Sequence, residues 1–228
     1  MFKLSLLSAA AVLAFASMAV TLNADVIAYT DPSGQGTQVL PFSENLALDF
    51  NVNSPITVTE LGVFNASGSG TIAGPLQVVI FNTTTNTEVT PVVLFLGSYT
   101  PAGLGFDVFQ AIAPVVLGPG SYEVDTLWDT TDPLGNLNTG SSTGPILNSG
   151  GGALTFTGAS YDASSMLDDP STCGPLGACQ PLPAQSSQFD AGTFEFQPSV
   201  VPEPGFMGLL AAGLALGLVR SRKLRAQK

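Results

Sequence analysis

From Leu4 to Val219 the chain has no Lys and no Arg, and it has no His at any position. Its six basic residues sit at the ends: Lys3, Arg220, Arg222, Lys223, Arg225 and Lys228. Sixteen of the seventeen carboxylates, all but Glu203, fall between Asp25 and Ser199. No side-chain ion pair can tie two elements of that stretch together, so its cohesion rests on apolar burial and main-chain hydrogen bonds. Whole classes of function drop out with the cations. A nucleic-acid surface needs positive partners for phosphate. Oxyanion and phosphoryl chemistry lose their usual Lys, Arg and His groups.

The charged fraction, 10% of 228 residues, is well below the roughly one quarter usual for soluble domains. With 45% hydrophobic residues the chain can build one sizeable core but not two large domains. The pattern in the middle is β. Residues 45–52 alternate, with Leu46, Leu48, Phe50 and Val52 on one face and Asn45, Ala47, Asp49 and Asn51 on the other. Ile56 to Thr59 alternates as well. Leu76 to Phe81 (LQVVIF) and Val92 to Leu96 (VVLFL) are continuous apolar runs, as expected of strands buried on both faces. Tyr122, Val124 and Thr126 share a face in the next run, and Phe194 pairs with Phe196 near the end. Turn clusters at 31–36, 65–70, 118–120 and 139–145 separate the runs, and no interior stretch shows the 3.6-residue period of an amphipathic helix. Nine or ten short strands spread over residues 25–199 predict an all-β, antiparallel β-sandwich, best matched by a jelly roll.

The two ends read as targeting. Lys3 precedes an apolar stretch at 4–20 and a small-residue cleavage site at Leu22-Asn23-Ala24, so residues 1–24 are expected to be a signal peptide. At the other end, Val201-Pro202-Glu203-Pro204 leads into a 15-residue apolar run, 205–219, and then RSRKLRAQK. A helix of that length reaches about 23 Å of a ~30 Å hydrocarbon core. It predicts a short, temporary transmembrane anchor whose basic stop (Arg220, Arg222, Lys223, Arg225) stays cytoplasmic.

Pro-Glu-Pro, a short Gly/Ala/Leu helix and an Arg-rich tail, in that order, resemble the PEP-CTERM sorting signal of Gram-negative bacteria. The resemblance covers residues 201–228, within a sorting segment taken as 200–228. It implies that Pro202, Glu203 and Pro204 are the processing signal read by a membrane-embedded exosortase. It further implies that the precursor is held transiently in the inner membrane before the protein reaches the cell surface or an extracellular polysaccharide matrix. Two interior segments, SPITVTELGVFNASGSG at 54–70 and APVVLGPGSYEVDTLW at 113–128, also resemble the jelly-roll bodies often found in PEP-CTERM proteins.

Residues 158–192 lack a strand period, are rich in Gly, Ser, Pro and Asp, and hold both cysteines. They predict a long loop. Cys173 and Cys179, separated by five residues, most simply close a small disulfide ring in an exported chain, and two Cys without His are too few for a structural zinc. The acidic residues Glu123, Asp125, Asp129 and Asp132 follow a hairpin turn, and Asp168-Asp169 lies in the loop. The simplest expectation is solvated turn carboxylates. A structural Ca²⁺ is the alternative, with Asp129, Asp132, Asp168 and Asp169 as candidate ligands, since hard cations take Asp and carbonyl oxygens. The sole tryptophan, Trp128, is rim filler or a sugar-stacking platform.

No catalytic motif emerges and no cofactor is called for. The expectation is a non-enzymatic exported protein of the surface or matrix. A carbohydrate-binding module is the first alternative and a polysaccharide-active hydrolase the second.

Overall fold

The computed structural model of the chain describes residues 24–30, 44–65, 68–102, 106–128, 137–138, 146–162, 166–169, 182–183, 189–190 and 192–199. All of them belong to one compact unit, Asn23–Ser199. In chain order the strands are β1 (Val26–Ile27), β2 (Tyr29–Thr30), β3 (Glu44–Val52), β4 (Ile56–Phe64), β5 (Thr71–Asn82), β6 (Thr87–Glu88), β7 (Val93–Ser98) and β8 (Asp107–Leu117). They continue with β9 (Gly120–Trp128), β10 (Leu137–Asn138), β11 (Ile146–Leu147), β12 (Leu154–Asp162), β13 (Leu182–Pro183), β14 (Phe189–Asp190) and β15 (Gly192–Pro198). Among the described residues there is no helix, and every strand pair is antiparallel.

Eight of the strands pair as nested hairpins. β1 lies against β15, β3 against β9, β4 against β8, and β5 against β7. Alternate members of that nest fall into two sheets. One runs β1-β15-β4-β8; the other runs β13-β12-β3-β9-β5-β6, with β7 also on β5. The result is a β-sandwich-like fold whose inner faces interdigitate.

The predicted alternation places the core. Leu46, Leu48, Phe50 and Val52 of β3 are buried, as are Ile56, Val58 and Leu61 of β4 and Phe194 and Phe196 of β15. Phe50 meets Phe194 of the opposite sheet at 5.0 Å between ring centroids and stacks on Tyr122 at 5.9 Å. Such ring pairs contribute about 0.5–1.5 kcal/mol beyond the area they bury. Tyr122 also explains the Leu-x-Pro-Gly-x-Tyr sequence at 117–122. Its hydroxyl donates to the Gly118 carbonyl at 3.0 Å, closing the β8–β9 turn over the buried ring. The sheets approach closely at Gly192, where a Cβ would stand 2.3 Å from Thr126 Oγ1.

Two local expectations need correction. The run 76–81 is buried on both faces as predicted, with Val79 and Phe81 covered on the outer side. The run 92–96 is not: Leu94 and Leu96 are more than half exposed, because β7 is an edge strand. β8 carries Pro114, which cannot donate to a ladder. The β4–β8 register slips between Ala111 and Val115, around that proline, so the strand tolerates it. Finally, β12 continues to Asp162, so the long connection starts later than the composition of 158–192 predicts. A register shift between Phe156 and Gly158 lets the strand continue along β3. The stretch TTTN at 83–86 is a hairpin turn between β5 and β6, with Asn86 at φ 49° and Asn82 Oδ1 accepting from the Thr84 and Thr85 amides.

Candidate functional site: a buried acidic face

Side chains alternate across a strand, so the residues between the core positions of β3, β9 and β12 form the outer face of the larger sheet. Register lines them up in rows. Ser160, Ala47, Asp125 and Val79 form one row across β12, β3, β9 and β5. Asp49, Glu123 and Phe81 form the next, and Asp162, Asn45, Leu127 and Gln77 the row on the other side. An outer face with this many polar groups ought to be wet. Instead Asn45, Ala47, Glu123, Asp125 and Ser160 have no exposed surface. The segment Met166–Asp169 is tied to this face: Asn45 Nδ2 donates to the Met166 carbonyl at 2.7 Å and to Asp168 Oδ1. Asp169 is buried with it.

The acids here differ in how their charge is met. Asp49 accepts from Ser160 Oγ on both oxygens, at 3.1 and 3.0 Å. Burial outweighs that bond, and with the Asp169 charge nearby it pushes Asp49 up to about 6. Neither oxygen of Glu123 receives an N–H or hydroxyl hydrogen bond. Burial, the Asp169 carboxyl lying against it, and the charges of Asp125, Asp169 and Asp49 push Glu123 up to about 12. Asp125 is likewise raised, first by burial and then by Asp168. The main-chain N–H groups of Thr126 and Leu46 ease its charge, but neither forms an aligned hydrogen bond to its oxygens. On the other sheet, buried Asp107 accepts a hydrogen bond from Thr30 Oγ1.

Because the unit Asn23–Ser199 contains no Lys, Arg or His, a buried charge on this face has only two ways to be neutralised. It can take a proton, or it can take a cation from solution. Glu123 and Asp125 are walled by Val79, Phe81 and Ala47 and present no surface, so a sugar ring cannot reach either as acid or base.

Of the sequence-predicted site residues, Asp168 and Asp169 do come to the acidic face. Asp129, Asp132, the Cys173–Cys179 pair, Pro202, Glu203, Pro204, Arg220, Arg222, Lys223 and Arg225 lie outside the described residues, as does the ring of Trp128. The expectation of solvated turn carboxylates is corrected for Glu123 and Asp125, which are strand residues with no exposed surface. Sequence reasoning did not single out Asn45, Asp49 or Ser160 as site residues. A signal was available: Glu123 and Asp125 alternate with Tyr122, Val124 and Thr126 and so share the face opposite the core. No three His, Cys, Asp or Glu side chains among the described residues are grouped so as to hold a metal ion by themselves. No helix among them is long and apolar enough to cross a membrane. Compared with known proteins, the chain matches no family model and none of the curated proteins.

Proposed function

We propose that residues 25–199 are a non-enzymatic, exported β-sandwich of the jelly-roll type that serves at the cell surface or in an extracellular polysaccharide matrix. In this reading residues 1–24 direct export, and residues 200–228 are a PEP-CTERM-like sorting segment processed by an exosortase-type enzyme in the inner membrane. The observation that carries it is the sequence of the tail: Pro202-Glu203-Pro204, then the apolar run 205–219, then the basic cluster, beginning just after the unit that ends at Ser199. The jelly-roll assignment is supported by the nested pairing. With β1, β3, β4, β5, β7, β8, β9 and β15 counted as eight strands, first pairs with last, second with seventh, third with sixth and fourth with fifth, the pairs alternating between two sheets. A disulfide between Cys173 and Cys179 belongs to the same exported reading.

Intact-mass measurement of the protein from an exosortase-competent host tests the sorting. The expected product lacks residues 1–24 and the tail beyond the motif; a mature protein that retains residues 205–228 overturns it. A polysaccharide array probed with and without Ca²⁺ separates a passive matrix protein from a carbohydrate-binding module.

A further inference from the structure

We propose that the acidic face binds a Ca²⁺ ion through a mixed shell: Asp125 from β9, the Asn45 side-chain oxygen from β3, and Asp168 with the Met166 carbonyl from the segment laid over them. Three observations converge on these residues. Asp125 has no exposed surface, and neither carboxylate oxygen has a hydrogen-bond partner. Asn45 is equally buried and its Oδ1 is also unpartnered. Asn45 Nδ2 donates to the Met166 carbonyl at 2.7 Å and to Asp168 Oδ1, so an ion held by those two oxygens takes the place of that N–H group, and the Asn45 amide turns over to present its orphan Oδ1. A buried acceptor without a donor is costly, on the order of 1–3 kcal/mol and more for a charged group. Here the unpartnered oxygens are the two of Asp125 and the Oδ1 of Asn45, on neighbouring rows of one sheet face.

The donor set selects the ion. It consists of carboxylates, an amide oxygen and a main-chain carbonyl, with no sulfur or imidazole, which is the chemistry of a hard cation. Ca²⁺ accepts six to eight oxygens in flexible geometry, whereas Mg²⁺ demands a near-ideal octahedron. Only two of the named ligands are acidic, consistent with no three acidic side chains closing a shell by themselves. Glu123 stands beside this group with the Asp169 carboxyl lying against it. The site would fasten Met166–Asp169 to the sheet at the start of the long connection to β15.

The full-length chain in mild detergent, stripped with EDTA and dialysed, provides the test by calorimetric titration with CaCl2 at pH 8. One saturable equivalent is expected, together with a rise in melting temperature larger than NaCl of equal ionic strength gives. Asp125→Asn and Asp168→Asn should each weaken binding at least tenfold, while Glu123→Gln should retain it. If Asp125→Asn fails to fold, Asp168→Asn and the wild-type titration still decide the question. No saturable binding, unchanged affinity in the Asn variants, or equal loss in Glu123→Gln would each overturn the assignment.

Discussion

The outer face of the larger sheet inverts the usual distribution of polarity between its centre and its edge. At the centre, Asp125 and Glu123 of β9 have no exposed surface; two strands away on β7, Leu94 and Leu96 are 53% and 55% exposed. The same register joins the two regions, since Gln77 pairs with Leu127 on one side and Leu94 on the other. What differs is the neighbourhood. The centre is flanked by buried Val79 and Phe81 and tied to Met166–Asp169, whereas β7 is an edge strand. Burial on a sheet therefore follows what lies over a position, and hydrophobicity alone does not report it. Scattered exposed leucines are tolerated at little cost. Buried carboxylates are not, unless something neutralises them.

Truncating apolar side chains on the two regions gives the largest expected contrast. Phe81→Ala at the covered centre should cost about 3–5 kcal/mol in chemical denaturation. Leu94→Ala at the edge should cost no more than about 0.5 kcal/mol, within the range of surface changes. Similar losses at both would mean that the edge is as well packed as the centre.

Dependence on pH is the next effect. A raised carboxyl pKa means that the folded chain holds protons the unfolded chain has released, so stability falls as pH rises between the two values. For Asp49 that window runs from its ordinary range near 4 to about 6; for Glu123 it runs from ordinary carboxyl values up to about 12. In EDTA the melting temperature should therefore fall from pH 5 to pH 8, in the opposite sense to a protein stabilised by salt bridges. A flat or rising curve would show that the acids of the centre are ionised without penalty.

Glu123→Gln sharpens the same point, because the amide copies the protonated acid without needing a proton. At pH 8 in EDTA it should melt a few degrees higher than the wild type, where ~1 kcal/mol corresponds to roughly 2–4 °C for a chain of this size. At pH 4, where unfolded carboxyls are largely protonated, the advantage should vanish. The smallest effect belongs to the edge: Leu94→Lys and Leu96→Lys should each change stability by less than about 0.5 kcal/mol.

Much of the sandwich was legible in the sequence because period-2 patterns act within a strand. Leu46 to Val52 and Tyr122 to Thr126 could be assigned to a core face without knowing their partners. The acidic site was half legible. Asp168 and Asp169 stood out as a pair in a loop, yet only pairing between strands far apart in sequence sets Asn45 beside Leu127 and places Asp125 one row away. Nor does a local pattern tell a covered outer face from a wet one. The run 92–96 fails for the converse reason, since its sequence resembles a doubly buried strand and its place at the edge is a tertiary fact.

Infrared spectroscopy of the protonated carboxyl band tests the central claim most directly, because it reports how the buried acids of the centre are neutralised. In the chelated wild-type chain at pH 8, still folded, a protonated carboxyl signal should persist and should diminish in Glu123→Gln. A folded, chelated protein at pH 8 with no protonated carboxyl, or with the same signal in Glu123→Gln, would contradict the account.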